Sequence, residues 1–500
     1  GTTNFTLNGG RNEYAIMGWF YRAAYDYKGK YLAEVNGRYD GTSRFPRGKR
    51  YGFFPSFSAA YRISEEAFFE PLRKTVDNLK IRLSYGSLGN QQIGYYDFIQ
   101  TITTKGSMGD YSFDGTILGQ HATVSDPVSG NQTWEKVISK NLGADLNMFS
   151  NRLSLTADFY IRDTKGILGK GKSLPSIYGA NEPQVNSNNL RTKGYELVLG
   201  WRDSFKLAGS TFSYGITGTF SDYTAEYTKC DNPSGLIGGP YVGKKYGEIW
   251  GYKVDGLFRN DEEAAEYASR VDLSKVAAGY YSATGAYGKG VRGGDIKYLD
   301  LDGSGIVDGG KGTLEDPGDR RVIGNSSPRY QYGLTLNLSW YGFDLSVFMQ
   351  GIGRLDWYPG ADNLRFWGPY SRPYATFIPK NFMSQVWSES NPDAYLPRAR
   401  AYTSLNSTQG TAYYTNDRYL QNLAYCRLKN LTLGYTIPKR LTSKVGIKEC
   451  RVYFSGENLA TWSALKNDFL DPEQAAADSD KKSNVYPWCR TYSVGLNLTF

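Results

Sequence analysis

The 500 residues hold one histidine, four cysteines and no long apolar run, and each scarcity closes off a class of function. His121 lies in a stretch rich in Gly, Ser and Asp, away from any nucleophile elbow, which argues against a histidine-based hydrolytic triad. Cys230, Cys426, Cys450 and Cys489 lack CxxC spacing. A Cys/His zinc site is therefore not expected, while disulfide pairing stays open. No stretch reaches the roughly 18 consecutive apolar residues that a membrane-crossing helix needs. No catalytic residue is assigned, and no enzyme activity is expected. The chain starts GTTNFTLNGG, with neither a basic nor an apolar leader region, so any export signal is expected to be absent or already removed.

Charge of neither sign is concentrated. The 58 Lys and Arg against 49 Asp and Glu give +9, spread without a basic block or a zinc-finger or RRM motif, so nucleic acid is not an expected partner. Abundance lies elsewhere, in 58 glycines and 15% aromatic residues, a composition suited to many strands joined by glycine turns. The mean hydropathy of −0.51 does not exclude a membrane barrel, because only alternate strand residues face lipid.

Alternation decides the fold class. Residues 330–340 read YQYGLTLNLSW, with Tyr330, Tyr332, Leu334, Leu336, Leu338 and Trp340 on one face and Gln331, Gly333, Thr335, Asn337 and Ser339 on the other. Residues 492–500 and 153–162 repeat the pattern. Strands are predicted over 13–27, 31–40, 51–62, 78–87, 131–148, 153–164, 191–203, 208–222, 328–340, 343–352, 424–437, 449–459 and 490–500. Each reaches about nine residues or more, enough to cross a hydrocarbon core when tilted. Their apolar faces end in rings such as Tyr330 and Trp340, as at membrane interfaces. Tight connections (28–30, 150–152, 341–342) alternate with long ones (165–190, 223–327, 353–423, 460–489). Of these, 223–327 and 353–423 are expected as large extracellular loops. Residues 64–77, SEEAFFEPLRKTVD, are expected to form a short helix capped by Ser64 on the turn side.

This is an all-β reading, a transmembrane antiparallel β-barrel occupying residues 1–500. Its opposite face carries Glu34, Arg38, Arg62, Lys80, Arg82, Asp145, Asp158, Arg162, Glu196 and Asp344 as lumen-lining candidates. Burying charges of both signs in a small barrel costs several kcal/mol each unless they pair, so a wide hydrated lumen is expected. A soluble sheet with a solvated outer face is the alternative. An odd strand count cannot close antiparallel, so the chain is expected to be part of a larger barrel.

Two loops carry candidate sites. Asp300-Leu-Asp302-Gly-Ser304-Gly305-Ile-Val-Asp308 spaces oxygen donors like the opening of an EF-hand calcium loop, with Asp300, Asp302, Ser304, the Ile306 carbonyl and Asp308 as ligands. Lys311 stands where the bidentate Glu belongs, so any affinity should be modest, and a metal-free Asp/Gly turn remains open. Trp357, Tyr358, Arg365, Trp367, Tyr370 and Arg372, with Phe366, Tyr374 and Trp387, offer rings for stacking and guanidiniums for carboxylates. The alternative is a loop using them as its own core. N-x-S/T triplets at Asn337, Asn430 and Asn497 fall inside predicted strands and are read as chance.

Several segments have counterparts in a known family: RYDGTSRF (38–45), GFFPSFSAAYRISEE (52–66), NLKIRLSYGSLGNQQIG (78–94), TWEKVISKNLGADL (133–146), NLRTKGYELVLGW (189–201), GDIKYLDLDGSG (294–305), LKNLTLGYTIP (428–438) and the ending YSVGLNLTF. In order and spacing these resemble the C-terminal part of SusC/RagA TonB-dependent outer-membrane transporters from Bacteroidota. The resemblance implies the last thirteen strands of a barrel of about 22, with a plug domain, a TonB-contacting segment and about nine strands upstream. It places residues 1–12 in an outer loop. It further implies import of oligosaccharides or oligopeptides, a SusD-like surface lipoprotein over the long loops, and a dimer of such pairs. No cofactor beyond a structural calcium is expected. A passive porin and a surface adhesin or glycan-binding scaffold are the rival readings.

Overall fold

The computed structural model describes residues 9–105, 112–113, 116–117, 121–171, 174–281, 290–372, 374, 376, 378–400, 405, 410–467, 469–477, 486 and 488–500. Thirteen strands form one antiparallel sheet in chain order. They are β1 (Ile16–Tyr27), β2 (Tyr31–Thr42), β3 (Tyr51–Arg62), β4 (Val76–Asn90), β5 (Glu135–Met148), β6 (Leu153–Lys170) and β7 (Gln184–Leu207). Then follow β8 (Ser210–Lys229), β9 (Arg329–Trp340), β10 (Phe343–Arg354), β11 (Tyr425–Thr436), β12 (Glu449–Ser463) and β13 (Thr491–Thr499). All thirteen predicted strands are present. Among the described residues β1 pairs only with β2 and β13 only with β12, and both edge strands are exposed along almost their whole length. Of the expected outer segment 1–12, residues 1–8 lie outside the described residues and 9–12 form no strand.

Register makes the sheet two-faced, because cross-strand partners share a side. Leu83, Leu142, Phe159 and Tyr195 form one continuous apolar row. On the opposite face Lys80 stands against Asp145, and Asp145 against Thr156. Among the described residues no protein layer covers the apolar side: Leu142 and Phe159 are 49% and 54% exposed. No helix among the described residues is long and apolar enough to cross a membrane, which leaves crossing by strands untouched.

One end of the sheet is closed by turns, the other by loops. At Ala208-Gly209 and Tyr341-Gly342 both residues have positive φ, the primed hairpin geometry that matches strand twist. Residues 64–77 do not form the expected capped helix. Two 3₁₀ segments, Ile63–Glu65 and Ala67–Leu72, stand there, with Ser64 buried inside the first and making no capping bond. Pro71 lacks the N–H that a longer helix would use.

At the other end the strands overrun their expected limits. The connections 165–190, 223–327 and 353–423 become 171–183, 230–328 and 355–424 because β6, β7, β8 and β10 run further. Pairing continues there without an apolar face: Asn186 Nδ2 donates to the Gly166 carbonyl at 2.6 Å, and Gly166 N–H donates to Asn189 Oδ1 at 3.0 Å.

Residues from the three longest late connections build a separate core above the sheet. Phe258, Leu273, Val276, Ile296, Tyr298, Trp367, Tyr419, Leu423 and Ala475 belong to this one cluster. A short helix, α1 (Asp261–Ala268), starts on Asn260, whose side chain accepts from Glu263 N–H at 2.9 Å, while the Glu263 carboxylate accepts from Arg259 N–H at 2.7 Å. Buried Asp295 accepts from Arg400 Nε at 2.9 Å and Nη2 at 2.6 Å. Arg427, at the loop end of β11, holds Asp471 at 2.5 Å and Glu473 at 2.7 Å and so ties the last connection to the sheet. None of the four cysteines forms a disulfide.

Candidate functional site

The polar face carries a set of paired charges. Arg82 on β4 reaches across β5, donating to Asp145 at 2.9 and 3.1 Å and to Asp158 on β6 at 3.1 and 2.9 Å. Lys80 lies 2.8 Å from Asp145, and Asn141 donates to Asp158 at 2.8 Å. The strand crossed by this guanidinium must be flat. Gly143 supplies that, since a Cβ there would stand 2.5 Å from Asp158 Oδ1 and 2.7 Å from Arg82 Cζ. The same device recurs across β11, where a Cβ on Gly434 would sit 2.5 Å from both Asp344 and Arg451, and Arg451 Nε donates to Asp344 at 2.9 Å.

Other expected members of this face are found with local partners. Glu34 accepts from Arg22 at 2.8 Å and continues through Asn36 to Ser56. Arg38 pairs with Asp40 at 3.0 Å and Arg162 lies 5.5 Å from the Tyr160 ring centre, whereas Glu196 stands opposite another carboxylate, Asp158. Arg62 differs, because it donates to the Gly29 carbonyl at 2.9 Å and belongs to the turn end rather than to the wall. Between the pairs the face is grooved. One groove of about 710 Å³ is lined by Arg202, Ser213, Asn337, Ser339, Asp344 and Ser346, and another of about 340 Å³ by residues including Glu34, Ser58 and Arg82. Such a surface offers hydroxyls, amides and fixed charges of both signs, and no nucleophile with an activating base.

The aromatic loop corrects the expectation of substrate contact. Trp357, Tyr358, Trp367 and Tyr370, with Phe366 and Trp387, are all buried in the loop core. Large rings gain more from burial against one another than from water, and their polar atoms are partly satisfied inside. Tyr358 OH donates to the Tyr414 carbonyl at 3.0 Å, and Asn416 Nδ2 donates to Tyr358 OH at 3.2 Å. Arg365 and Arg372 remain exposed, Arg372 with Asp362 at 4.0 Å.

The acid loop also differs from its expected ligand set. Carboxylate oxygens of Asp300, Asp302 and Asp319 lie within 4.8 Å of one another, and Asp308 is not one of this trio. Asp308 instead accepts from Gly310 N–H at 2.7 Å, while Ser304 Oγ donates to the Ile306 carbonyl at 3.0 Å. Asp319 is fully buried and accepts from the backbone N–H groups of Leu301 and Asp308 at 2.6 and 2.9 Å. Burial pushes its carboxyl above the usual range, whereas the Ser304 hydroxyl and N–H hold Asp302 below it. Oxygen-only donors of this kind suit hard cations.

The family model described as TonB dependent receptor-like, beta-barrel matches residues 1–459. The chain belongs to this family. TonB-dependent receptor P3 of Formosa agariphila is 27% identical over 98% of the chain and 46% of its own length. TonB-dependent receptor SusC of Bacteroides thetaiotaomicron is 23% identical over 97% of the chain and 44% of its own length. The solved structure of the RagAB peptide transporter superposes with a TM-score of 0.72 at 21% identity, over 97% of this chain and 48% of that one. The chain thus spans about half the length of the relatives it matches. These relatives and neighbours are receptors and transporters, not enzymes. Membership places the barrel in the bacterial outer membrane, with the apolar face toward lipid and the charged face inward.

In this receptor barrel the inner-wall partners Arg22, Asn141 and Arg451 and the loop carboxylate Asp319 were not singled out from sequence. The first three sit in predicted strands in phase with inward residues, so alternation alone could have found them. Asp319 lies outside any twelve-residue calcium loop, and no local signal marks it.

Proposed function

We propose that this receptor barrel forms part of the wall and outer loops of an active importer, driven through TonB, that carries oligosaccharides or oligopeptides across the outer membrane beneath a SusD-like lipoprotein. The observation that supports this reading is the inner wall. Several of its charges are paired in place, Arg82 with Asp145 and Asp158 and Arg451 with Asp344, and grooves run between the pairs. Neutral glycans and mixed-charge peptides can pass such a wall; a strongly biased one would select ions of one sign. The likeness to a peptide transporter supports peptides among the cargo.

The test is uptake by cells carrying the intact gene product, with fluorescent oligosaccharides and oligopeptides, before and after the proton-motive force is collapsed. Energy-dependent uptake that disappears with the gene is expected. Uptake unaffected by the collapse would mean a passive pore, and loss of surface attachment with unchanged uptake would mean an adhesin. The calcium expectation carries over to Asp300, Asp302 and Asp319: calcium added to chelator-treated protein should raise the melting temperature, and Asp302→Asn should abolish the rise.

A further inference from the structure

The lipid-facing side of β5, β6 and β7 departs from the rest of the apolar belt at its loop end. Ile161 on β6 is the direct cross-strand partner of both Lys140 on β5 and Lys193 on β7. The two lysines therefore flank one isoleucine from strands about 10 Å apart, on the side that faces acyl chains. Two residues further along each strand of the β5–β6 pair, beyond Ile138 and Asp163, Lys136 and Lys165 stand directly opposite each other. Like charges in that position destabilise a strand pair.

Nearby acids attract the lysines, Asp163 acting on Lys140 and Lys165 and Glu226 on Lys193, but each of these acids is bonded to another base. Asp163 is bonded to Arg191 at 2.6 Å, Asp222 to Arg329 at 2.6 Å, and Glu226 to Lys245. Lys136, Lys140, Lys165 and Lys193 form no salt bridge among the described residues. Below the lysines a groove of about 640 Å³ runs across the outer surface, floored by Leu142, Phe159 and Ile161 and bordered by Tyr195, with Lys140 and Lys193 on its margin. Its floor is apolar where hydrocarbon lies, and its margin, where headgroups lie, carries the two lysines and the ion pair of Asp222 with Arg329.

We infer that this groove seats a phosphate-bearing, multiply acylated lipid of the outer leaflet. Acyl chains lie over Leu142 and Phe159, and a headgroup phosphate is held between the Lys140 and Lys193 ammoniums, each on a flexible four-carbon stem. A bound anion relieves the repulsion between Lys140 and Lys193, so the lipid clamps β5, β6 and β7 together at the outer membrane interface. The inference needs only the outer-membrane placement, not the import reading.

The experiment uses the intact gene product, stripped of lipid by detergent exchange and titrated with diphosphoryl lipid A, its dephosphorylated form or phosphatidylethanolamine, with binding read by native mass spectrometry. Diphosphoryl lipid A should bind the natural protein, and Lys140→Gln with Lys193→Gln should weaken it about tenfold or more. Lys140→Arg with Lys193→Arg should restore binding, and the heat-dependent gel shift of the folded barrel controls for misfolding. Equal binding by the Gln variant, or equal binding of the dephosphorylated lipid, would overturn the assignment.

Discussion

In the sheet Phe159 is 54% exposed, and in the loop core above it Trp367 is 0% exposed. Both are large aromatic residues in a chain of uniform composition, yet one is stabilised by lipid and the other by protein. Apart from a small cluster of Phe45, Phe54 and Trp134, the described part of the sheet packs no hydrophobic core of its own, and its apolar side is completed by the bilayer. The loop domain is folded as a water-soluble protein is, around a closed cluster with buried polar nodes at Asn416 and at Asp295 with Arg400. Damage should therefore act on the two regions by different rules.

The largest effect is expected in the loops. Arg400→Met leaves the fully covered Asp295 carboxylate without its guanidinium, at a cost of about 3–5 kcal/mol. Limited proteolysis should show the loops opening while the barrel keeps its heat-dependent gel shift; loss of both together would break the comparison. Burial already pushes the Asp295 carboxyl up to about 6, against the pull of Arg400. Folding thus takes up a proton, and this group's stabilisation is present below about pH 4 and lost as pH rises through about 6. The Arg400→Met defect should consequently be worse at pH 8 than at pH 5.

The sheet should respond to side rather than to burial. Leu336→Arg, on the lipid face, should cost about 2–4 kcal/mol in barrel unfolding, and Asn337→Arg, one residue away on the wet face, close to nothing. Equal costs would mean that the two faces had been assigned wrongly. The smallest effect belongs to the inner wall. Asp344→Asn frees Arg451 in a hydrated setting, so stability should change by at most about 1 kcal/mol, while uptake of cationic peptides should fall relative to neutral ones.

The same contrast explains what could be read from sequence. All thirteen strands were legible because each separates oil from water and so writes a period of two. Their loop-end extensions were not: residues 186–189, NSNN, lie where both faces are polar and alternation has nothing to report. The aromatic loop was ambiguous for another reason. Tyr358 and Tyr370 have the same local surroundings in sequence whether they line a passage or fill a core, and only contacts with distant residues such as Asn416 and Pro397 decide. Asp344 was recognised without Arg451, whose separation of 107 residues can be bridged only by register.

β7 has 24 residues, about twice the 9–11 that a tilted strand needs to cross the hydrocarbon. Its surplus, shared by β6 and β8, forms a parapet several turns of ladder high on one flank of the mouth. On that flank the rim is a hydrogen-bonded ladder rather than loop, so the described part of the rim is uneven in height. Among the described strands the rim falls away toward β2 and β3, where the connection 43–50 is short.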